Sequence, residues 1–208
     1  MKTHLLVLDL DETLIHRSLS SLGYQPTMVV REWLIYFRPF CRSFLRDCQR
    51  KFDIGIWTAS SSSYAIPIVV ELFRGITPPR FIFTAVDCRR EDNQVSKPLE
   101  RVETFGYSLS RVLLVDDRPE MYQHHPENGI CIPPFLGSFI DSELLYLQPY
   151  LESLALLSNV REVNKDWRHP QEYTNRFLGG IGLHSLLSQA ESLESVETED
   201  SQVSEVTS

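Results

Sequence analysis

Most of the residues of this sequence that could do phosphate chemistry follow short apolar runs, and Lys97 stands just before a predicted helix. They comprise acids, a hydroxyl and a lysine, namely Asp9, Asp11, Thr58, Lys97, Asp116 and Asp117. Asp9 follows the run His4–Leu8, and Asp116 follows Arg111–Val115. If these runs are parallel strands, their carboxyl ends share one edge of a sheet, which is where ligands bind in open α/β folds. The pattern therefore predicts one site that combines carboxylates, a hydroxyl and an ammonium group.

Such a set of side chains is suited to hydrolysis of a phosphomonoester with Mg²⁺. Like charges about 4 Å apart repel by several kcal/mol at intermediate dielectric, so a phosphate dianion cannot approach a carboxylate unaided. Mg²⁺ held by carboxylates cancels this repulsion, and a lysine can bind the phosphate oxygens. We expect Asp9 to attack phosphorus and Asp11 to protonate the leaving oxygen and later deprotonate water. Thr58 is expected to donate its hydroxyl to the phosphoryl group.

The apolar runs are predicted to form a parallel sheet that helices cover on both faces. Each run is short and lacks polar alternation, as expected of a strand buried on both faces. The predicted strands are His4–Leu8, Phe52–Trp57, Phe81–Val86, Arg111–Val115 and Gly129–Ile132. The predicted helices are Phe40–Arg50, Tyr64–Phe73, Leu99–Phe105 and Asp141–Leu157. This alternation predicts an α/β fold.

A β-prone segment, Met28–Phe37, interrupts the alternation and is predicted to form a small inserted hairpin. The stretches before Thr58 and before Lys97 are filled by predicted elements, so neither has room for a large cap domain. An uncapped crevice admits a side chain presented by another protein, whereas a small metabolite gains little enclosure there. We predict a catalytic domain over 1–160, an extension over 161–187 and a disordered, acidic, Ser- and Glu-rich tail over 188–208.

Composition and charge are those of a globular protein from a reducing compartment. The 208 residues include 20 Lys and Arg against 28 Asp and Glu, and six of these acids follow Ser185. The preceding body is nearly neutral, which speaks against nucleic acid and anionic membranes as partners. The four cysteines lack metal-ligand spacing, and we find neither a signal peptide nor an apolar run of about 20 residues. We expect a monomer or weak oligomer in the cytoplasm, or in the nucleus of a eukaryotic cell.

Several stretches of the sequence resemble one family of phosphatases. Leu8–His16 resembles the first motif, D-x-D-x-T, of phosphatases in the haloacid dehalogenase superfamily. The further matches are Tyr36–Pro39, Ile56–Ser60, Lys97 and Val112–Pro119. The order and approximate spacing of these stretches resemble those of the motifs in the small C-terminal-domain phosphatases. This family includes the dullard-like and NLI-interacting-factor-like proteins. The resemblance covers about residues 4 to 158.

This resemblance implies a Mg²⁺-dependent phosphatase of phosphoserine or phosphothreonine in proteins. The implied fold is a compact Rossmann-like, three-layer α/β core without a large cap. Asp9 carries over as nucleophile and metal ligand, and Asp11 as general acid/base and as metal ligand through its backbone carbonyl. Asp116 and Asp117 carry over as the other metal-binding residues, and Thr58, Ala59 and Lys97 as phosphate-binding residues. Many small members have Asn where Asp117 stands, so this chain is expected to place more negative charge at its metal.

Other interpretations of these residues remain open in the sequence alone. The chain could act on a small-molecule phosphate, or it could be a non-catalytic binding module with the same fold. D-x-D-x-T also opens a calcium loop, but Leu14 and Ser20 stand where such a loop needs Gly and Glu. Ser60 is favoured as a helix cap over a phosphate contact, and Trp33 and Tyr36 as hairpin core over a substrate groove.

Overall fold

The computed structural model describes residues 2–92 and 94–167. The predicted acidic tail, 188–208, and most of the predicted extension, 161–187, therefore lie outside the described residues. Of this extension, residues 161–167 are described, and Trp167 in it is buried and donates its indole N–H to the carbonyl oxygen of Cys131 at 2.9 Å. None of the helices in the described ranges is long and apolar enough to cross a membrane.

The described residues form ten β-strands and three α-helices. The strands are β1 (His4–Leu8), β2 (Ile15–Ser18), β3 (Met28–Val30), β4 (Trp33–Phe37), β5 (Phe52–Trp57), β6 (Ile82–Phe83), β7 (Arg89–Glu91), β8 (Gln94–Ser96), β9 (Val112–Asp116) and β10 (Gly129–Cys131). The α-helices are α1 (Cys41–Cys48), α2 (Ser62–Leu72) and α3 (Glu143–Leu154). Short 3₁₀ helices connect several of them.

The central sheet is parallel and has the strand order β10-β9-β1-β5-β6. Its middle strand, β1, is fully buried, as its unbroken apolar sequence predicts. Leu8 at the end of β1 pairs with Ile56 of β5 and with Val115 of β9. Because the three strands end in register, the residues that follow them emerge side by side at one edge of the sheet.

The core lies on both faces of this sheet. Leu5 and Val7 of β1 pack with Val112 and Leu114 of β9 and with a group of aromatic residues on one face. Leu6 and Leu8 point to the opposite face, since side chains alternate along a strand. Helices α1 and α3 pack against each other, and one face of each is buried, with Phe44 and Leu45 in α1 and Leu147 and Leu151 in α3. The predicted α/β sandwich around a parallel sheet is confirmed.

Two predicted elements differ from the observed ones. The predicted strand Phe81–Val86 is a strand only over Ile82–Phe83, because Thr84 and Asp87 cap a 3₁₀ helix over Ala85–Asp87. The segment Leu99–Phe105 forms a 3₁₀ helix, with Leu99 and Val102 buried. Residues three apart share a face in that geometry, so both apolar side chains reach the core.

The insertion after β1 is larger than the predicted hairpin. Strands β3 and β4 form that hairpin, and β2 pairs with the free side of β4 to give an antiparallel sheet of order β2-β4-β3. A second hairpin, β7–β8, was not predicted and precedes Lys97. Both insertions are small, so the prediction that a large cap domain is absent holds for the described residues.

Candidate active site

Three neighbouring strands position the predicted site residues at the carboxyl edge of the sheet. Asp9 follows β1, Thr58 follows β5, and Asp116 is the last residue of β9. The backbone N–H of Asp9 donates to the carbonyl oxygen of Val115 at 3.0 Å, so the ladder between β1 and β9 continues into the site. Asp9, Thr58 and Asp116 are all buried.

Lys97 reaches this edge from outside the sheet and joins two of the acids. Its ammonium nitrogen lies 2.5 Å from Asp9 Oδ1 and 2.5 Å from Asp116 Oδ2, and its side chain is fully buried. Its backbone N–H donates to the carbonyl oxygen of Met121 at 2.7 Å, which fixes the loop that carries it. Burial by itself would lower the pKa of Lys97, but the two carboxylates outweigh it and raise that pKa above its usual value.

Asp117 completes a group of three carboxylates with Asp9 and Asp116. One oxygen from each lies within 4.8 Å of the others. Burial raises the pKa of Asp117 to about 6, and the neighbouring Asp116 contributes to this rise. Burial likewise raises the pKa of Asp9 well above its usual value, even though Lys97 opposes the shift. A site with three carboxylates and one ammonium group has excess negative charge, and its oxygen donors suit a hard cation such as Mg²⁺.

Asp11 points to a different set of partners. Its Oδ2 accepts hydrogen bonds from the hydroxyls of Ser60 at 2.7 Å and Thr58 at 3.3 Å, and its Oδ1 accepts one from Tyr64 at 2.7 Å. The side chain of Asp11 is therefore outside the group of three carboxylates. Among the four predicted metal residues, the structure brings Asp9, Asp116 and Asp117 together through their side chains.

The loop after β5 carries the predicted phosphate-binding residues Thr58 and Ala59. The Thr58 hydroxyl accepts the backbone N–H of Ser60 at 3.0 Å while it donates to Asp11. Ala59 is half-buried between Thr58 and the first turn of α2. The interpretation of Ser60 as a helix cap is wrong, because Ser61 occupies the cap position and the Ser60 hydroxyl turns to Asp11.

A fully buried arginine holds the loop that contains the D-x-D-x-T motif. Arg38 donates to both carboxylate oxygens of Asp141 at 2.8 and 2.9 Å, to the carbonyl oxygen of Thr13 at 3.1 Å and to that of Pro133 at 3.0 Å. The sequence marks Arg38 only as part of the family resemblance. In the structure, Arg38 joins three separate loops beneath the site. Its partners lie up to 103 residues away in the sequence, so no local pattern indicates this role.

Sequence reasoning also missed Tyr64 and Arg17 as site residues. Tyr64 stands in the first turn of α2, where its spacing indicates only a helix face, and its hydroxyl reaches Asp11. The inserted sheet contributes Trp33, which is half-buried under the guanidinium of Arg17. Tyr36 is buried, so the prediction of a core role holds for that residue.

The fold and the site together define a class of protein. A parallel α/β sheet with D-x-D-x-T after its central strand, and with a lysine and an acidic pair on the same edge, is the arrangement of the haloacid dehalogenase superfamily. The family model described as NLI interacting factor-like phosphatase matches residues 4–161. The chain belongs to this family.

Curated relatives of the chain are named phosphatases. A probable C-terminal domain small phosphatase of Dictyostelium discoideum is 34% identical over 172 residues, which cover 79% of this chain and 55% of that protein. The human CTD small phosphatase-like protein is 31% identical over 157 residues, covering 72% of this chain and 55% of that protein. The chain thus spans about half the length of these relatives.

Solved structures show the same fold. A variant of the fission yeast RNA polymerase II CTD phosphatase Fcp1, bound to beryllium fluoride, aligns with a TM-score of 0.51 and 16% identity. A second structure of Fcp1 aligns with a TM-score of 0.50 and 18% identity. Each alignment covers 96% of this chain and 64% of the other.

Proposed function

We propose that this protein hydrolyses phosphoserine or phosphothreonine in other proteins through a phosphate ester of Asp9. The observation that carries the proposal is the buried group in which Lys97 binds Asp9 and Asp116 while Asp117 lies beside them. Excess negative charge of this kind, buried at a sheet edge, is unfavourable unless a cation offsets it. It suits a site that receives Mg²⁺ together with a phosphate group.

The proposed reaction uses the two acids of the D-x-D-x-T motif in different roles. A carboxylate oxygen of Asp9 forms a bond to phosphorus, and the bond between phosphorus and the serine or threonine oxygen breaks. Asp11 gives its proton to that leaving oxygen. Water then attacks the phosphate on Asp9, Asp11 takes the proton from this water, and Asp9 is released with inorganic phosphate.

The surroundings of the two acids fit these roles. Asp9 is held by a fully buried lysine, which orients it and can also bind phosphate oxygens. Asp11 is more accessible, with 19% of its side chain exposed, and three hydroxyls orient its carboxylate. Thr58 and Ala59 lie beside Asp11, and we expect them to bind the phosphoryl group.

Asp9, Asp116 and Asp117, together with the backbone carbonyl of Asp11, would hold Mg²⁺. When bound, this ion would offset the repulsion between the phosphate and the carboxylates. Asp117 contributes a third carboxylate, which adds negative charge to the donor set. Thr13 donates its hydroxyl to Asp117 at 3.5 Å and so helps to orient it.

A protein substrate is favoured by the small size of both insertions. The antiparallel sheet β2-β4-β3 and the hairpin β7–β8 are too small to enclose a metabolite by themselves. A site of this kind suits a phosphorylated side chain on a protein surface. The names of the relatives, which include C-terminal domain phosphatases, support the same substrate class. A cytoplasmic or nuclear location and a monomeric or weakly oligomeric state belong to this proposal.

The proposal is tested by measuring Mg²⁺-dependent release of phosphate from phosphoserine peptides. We expect Asp9→Asn to lower kcat/KM by at least about a thousandfold, because the nucleophile is lost. Acid quenching of the wild-type reaction should trap phosphate on the peptide that contains Asp9. Asp47→Asn, at a carboxylate paired with Arg50 on the surface, is the matched control and should leave hydrolysis unchanged.

Three results would contradict the proposal. Full activity of the Asp9→Asn protein would show that Asp9 is not the nucleophile of the reaction. A clear preference in kcat/KM for sugar or nucleotide phosphates over phosphopeptides would instead assign a small-molecule substrate. An absence of hydrolysis across a broad panel with Mg²⁺ would identify a binding module.

A further inference from the structure

Arg17 places a positive charge on the open side of the site. It stands in β2 of the inserted sheet, and its guanidinium carbon lies 4.9 Å from the ring centroid of Trp33 and 5.3 Å from that of Tyr64. Two aromatic faces hold a planar guanidinium through cation–π attraction and so limit the motion of the long side chain. Since 39% of the side chain is exposed, a ligand from solvent can still reach it.

The contacts of Arg17 differ from those of an arginine that holds the fold together. Its closest approach to an acid is 3.9 Å, between Nε and Oδ1 of Asp11, which is longer than a hydrogen bond. Asp11 already accepts hydrogen bonds from three hydroxyls and does not depend on Arg17 for a partner. Arg38, in contrast, is buried and makes two hydrogen bonds to Asp141.

The charge around Arg17 indicates what it would bind. Four carboxylates and one lysine form the centre of the site, so a substrate with an acidic group next to its phosphate would be repelled there. Arg17 offers a fixed cation beside that centre. A guanidinium binds carboxylates and phosphates through paired hydrogen bonds, which suits a second anion on the same substrate.

We propose that Arg17 is a specificity residue that binds a second anionic group, a carboxylate or a second phosphate, close to the phosphorylated residue of the substrate. This inference rests on the proposed function and narrows its substrate class. The protein would then favour phosphorylation sites that lie among acidic residues or beside another phosphorylated residue. Sites with neutral flanks would be poorer substrates.

The test compares kcat/KM for three phosphoserine peptides that are otherwise identical. One has neutral flanks, one carries glutamates next to the phosphoserine, and one carries a second phosphoserine there. We expect the wild-type protein to prefer an anionic peptide by about threefold to tenfold, the range for partly exposed charge-assisted contacts. Arg17→Gln should bring this ratio close to one. Arg17→Lys should retain part of it, because lysine keeps the charge and loses the paired hydrogen bonds.

Arg50→Gln is the matched control, since Arg50 is 74% exposed and pairs with Asp47 on the surface. It should leave the ratio unchanged. A wild-type preference for either anionic peptide that Arg17→Gln removes supports the proposal and identifies the anion. The proposal would be overturned if Arg17→Gln left the ratio of kcat/KM between anionic and neutral peptides unchanged. Equal kcat/KM for all three peptides in the wild type would also overturn it.

A binding measurement separates this proposal from the proposed function. The affinities of the three peptides for Asp9→Asn, and for Asp9→Asn combined with Arg17→Gln, can be measured without turnover. Tighter binding of an anionic peptide that disappears with Arg17→Gln supports the role of Arg17 even if the wild-type protein hydrolyses nothing. Equal affinities would overturn the role of Arg17 even if hydrolysis is confirmed.

Discussion

The two halves of the site are held together by different forces. Around Asp9, a buried ammonium group binds two carboxylates, and a third carboxylate lies close by. Around Asp11, neutral hydroxyls from Thr58, Ser60 and Tyr64 provide the hydrogen bonds. The charged half is sensitive to any change in the number of charges. The hydroxyl half keeps one carboxylate oriented and accessible, so a loss of one donor should cost much less.

Removal of Lys97 should have the largest effect on stability of any single change in the charged half. Lys97→Met leaves Asp9 and Asp116 buried without their cation, which should lower the free energy of unfolding of metal-free protein by about 3 kcal/mol at pH 7. Phosphatase activity should fall by about a thousandfold. Urea unfolding with a chelator present measures the first effect. Lys51→Met, at an exposed lysine, is the control; equal stability of the two variants would show that the Lys97 ion pairs are not needed.

Removal of one hydroxyl donor in the other half should have a smaller effect. Tyr64→Phe deletes the hydrogen bond to Asp11 Oδ1 and leaves those from Thr58 and Ser60, so we expect kcat to fall about tenfold with little change in stability. Steady-state kinetics on an aryl phosphate measures this effect. Tyr146→Phe, at a half-exposed tyrosine on α3, should have no effect. A loss as large as that of Lys97→Met would contradict the distinction between the two halves.

The smallest expected effect is a pH dependence of stability that arises from Asp117. Its pKa is about 6 in the folded protein and near 3.8 as a free side chain. A raised pKa stabilises the folded state below pH 3.8, and this stabilisation is lost as the pH rises through about 6. Asp117 is half-exposed to solvent, so we expect a contribution of only about 1 kcal/mol.

Urea unfolding of metal-free protein between pH 4 and pH 7 would measure this effect. The contribution of Asp117 should make stability fall with rising pH, so Asp117→Asn, which cannot ionise at that position, should gain stability relative to the wild type as the pH rises. The slope that remains in Asp117→Asn includes Asp9, whose pKa is raised in the same direction, and His4, whose pKa is lowered by burial and which acts in the opposite direction. An identical slope in the wild type and in Asp117→Asn would contradict the assignment to Asp117.

The parts of the molecule that the sequence predicts well depend on local pattern and on general rules for parallel sheets. The unbroken apolar run of β1 and the acids after β1 and β9 are enough to expect that these acids meet at one sheet edge. Lys97 is among the residues that the sequence marks as suited to phosphate chemistry, but nothing near it in the sequence shows that it is buried. Only the structure shows that the Lys97 ammonium group lies between the carboxylates of Asp9 and Asp116.

The features that the sequence does not reveal depend on the direction of individual side chains. The motif D-x-D gives two acids at similar positions, and no pattern shows that Asp9 turns to Lys97 while Asp11 turns to three hydroxyls. The role of Tyr64 depends on how α2 is oriented over the sheet, and that of Arg38 on loops distant in sequence. Similarly, β6 is short because Thr84 and Asp87 form hydrogen bonds to the backbone that begin a 3₁₀ helix directly after it.

The position of β1 between β5 and β9 has a consequence for biosynthesis. Asp9 leaves the ribosome about a hundred residues before its partners Lys97 and Asp116. Until then β1 lacks one neighbour and the acidic centre cannot assemble. A nascent chain stalled before β9 has left the exit tunnel should therefore be inactive however long it waits, and activity should appear only once Asp141, the partner of Arg38, has also emerged.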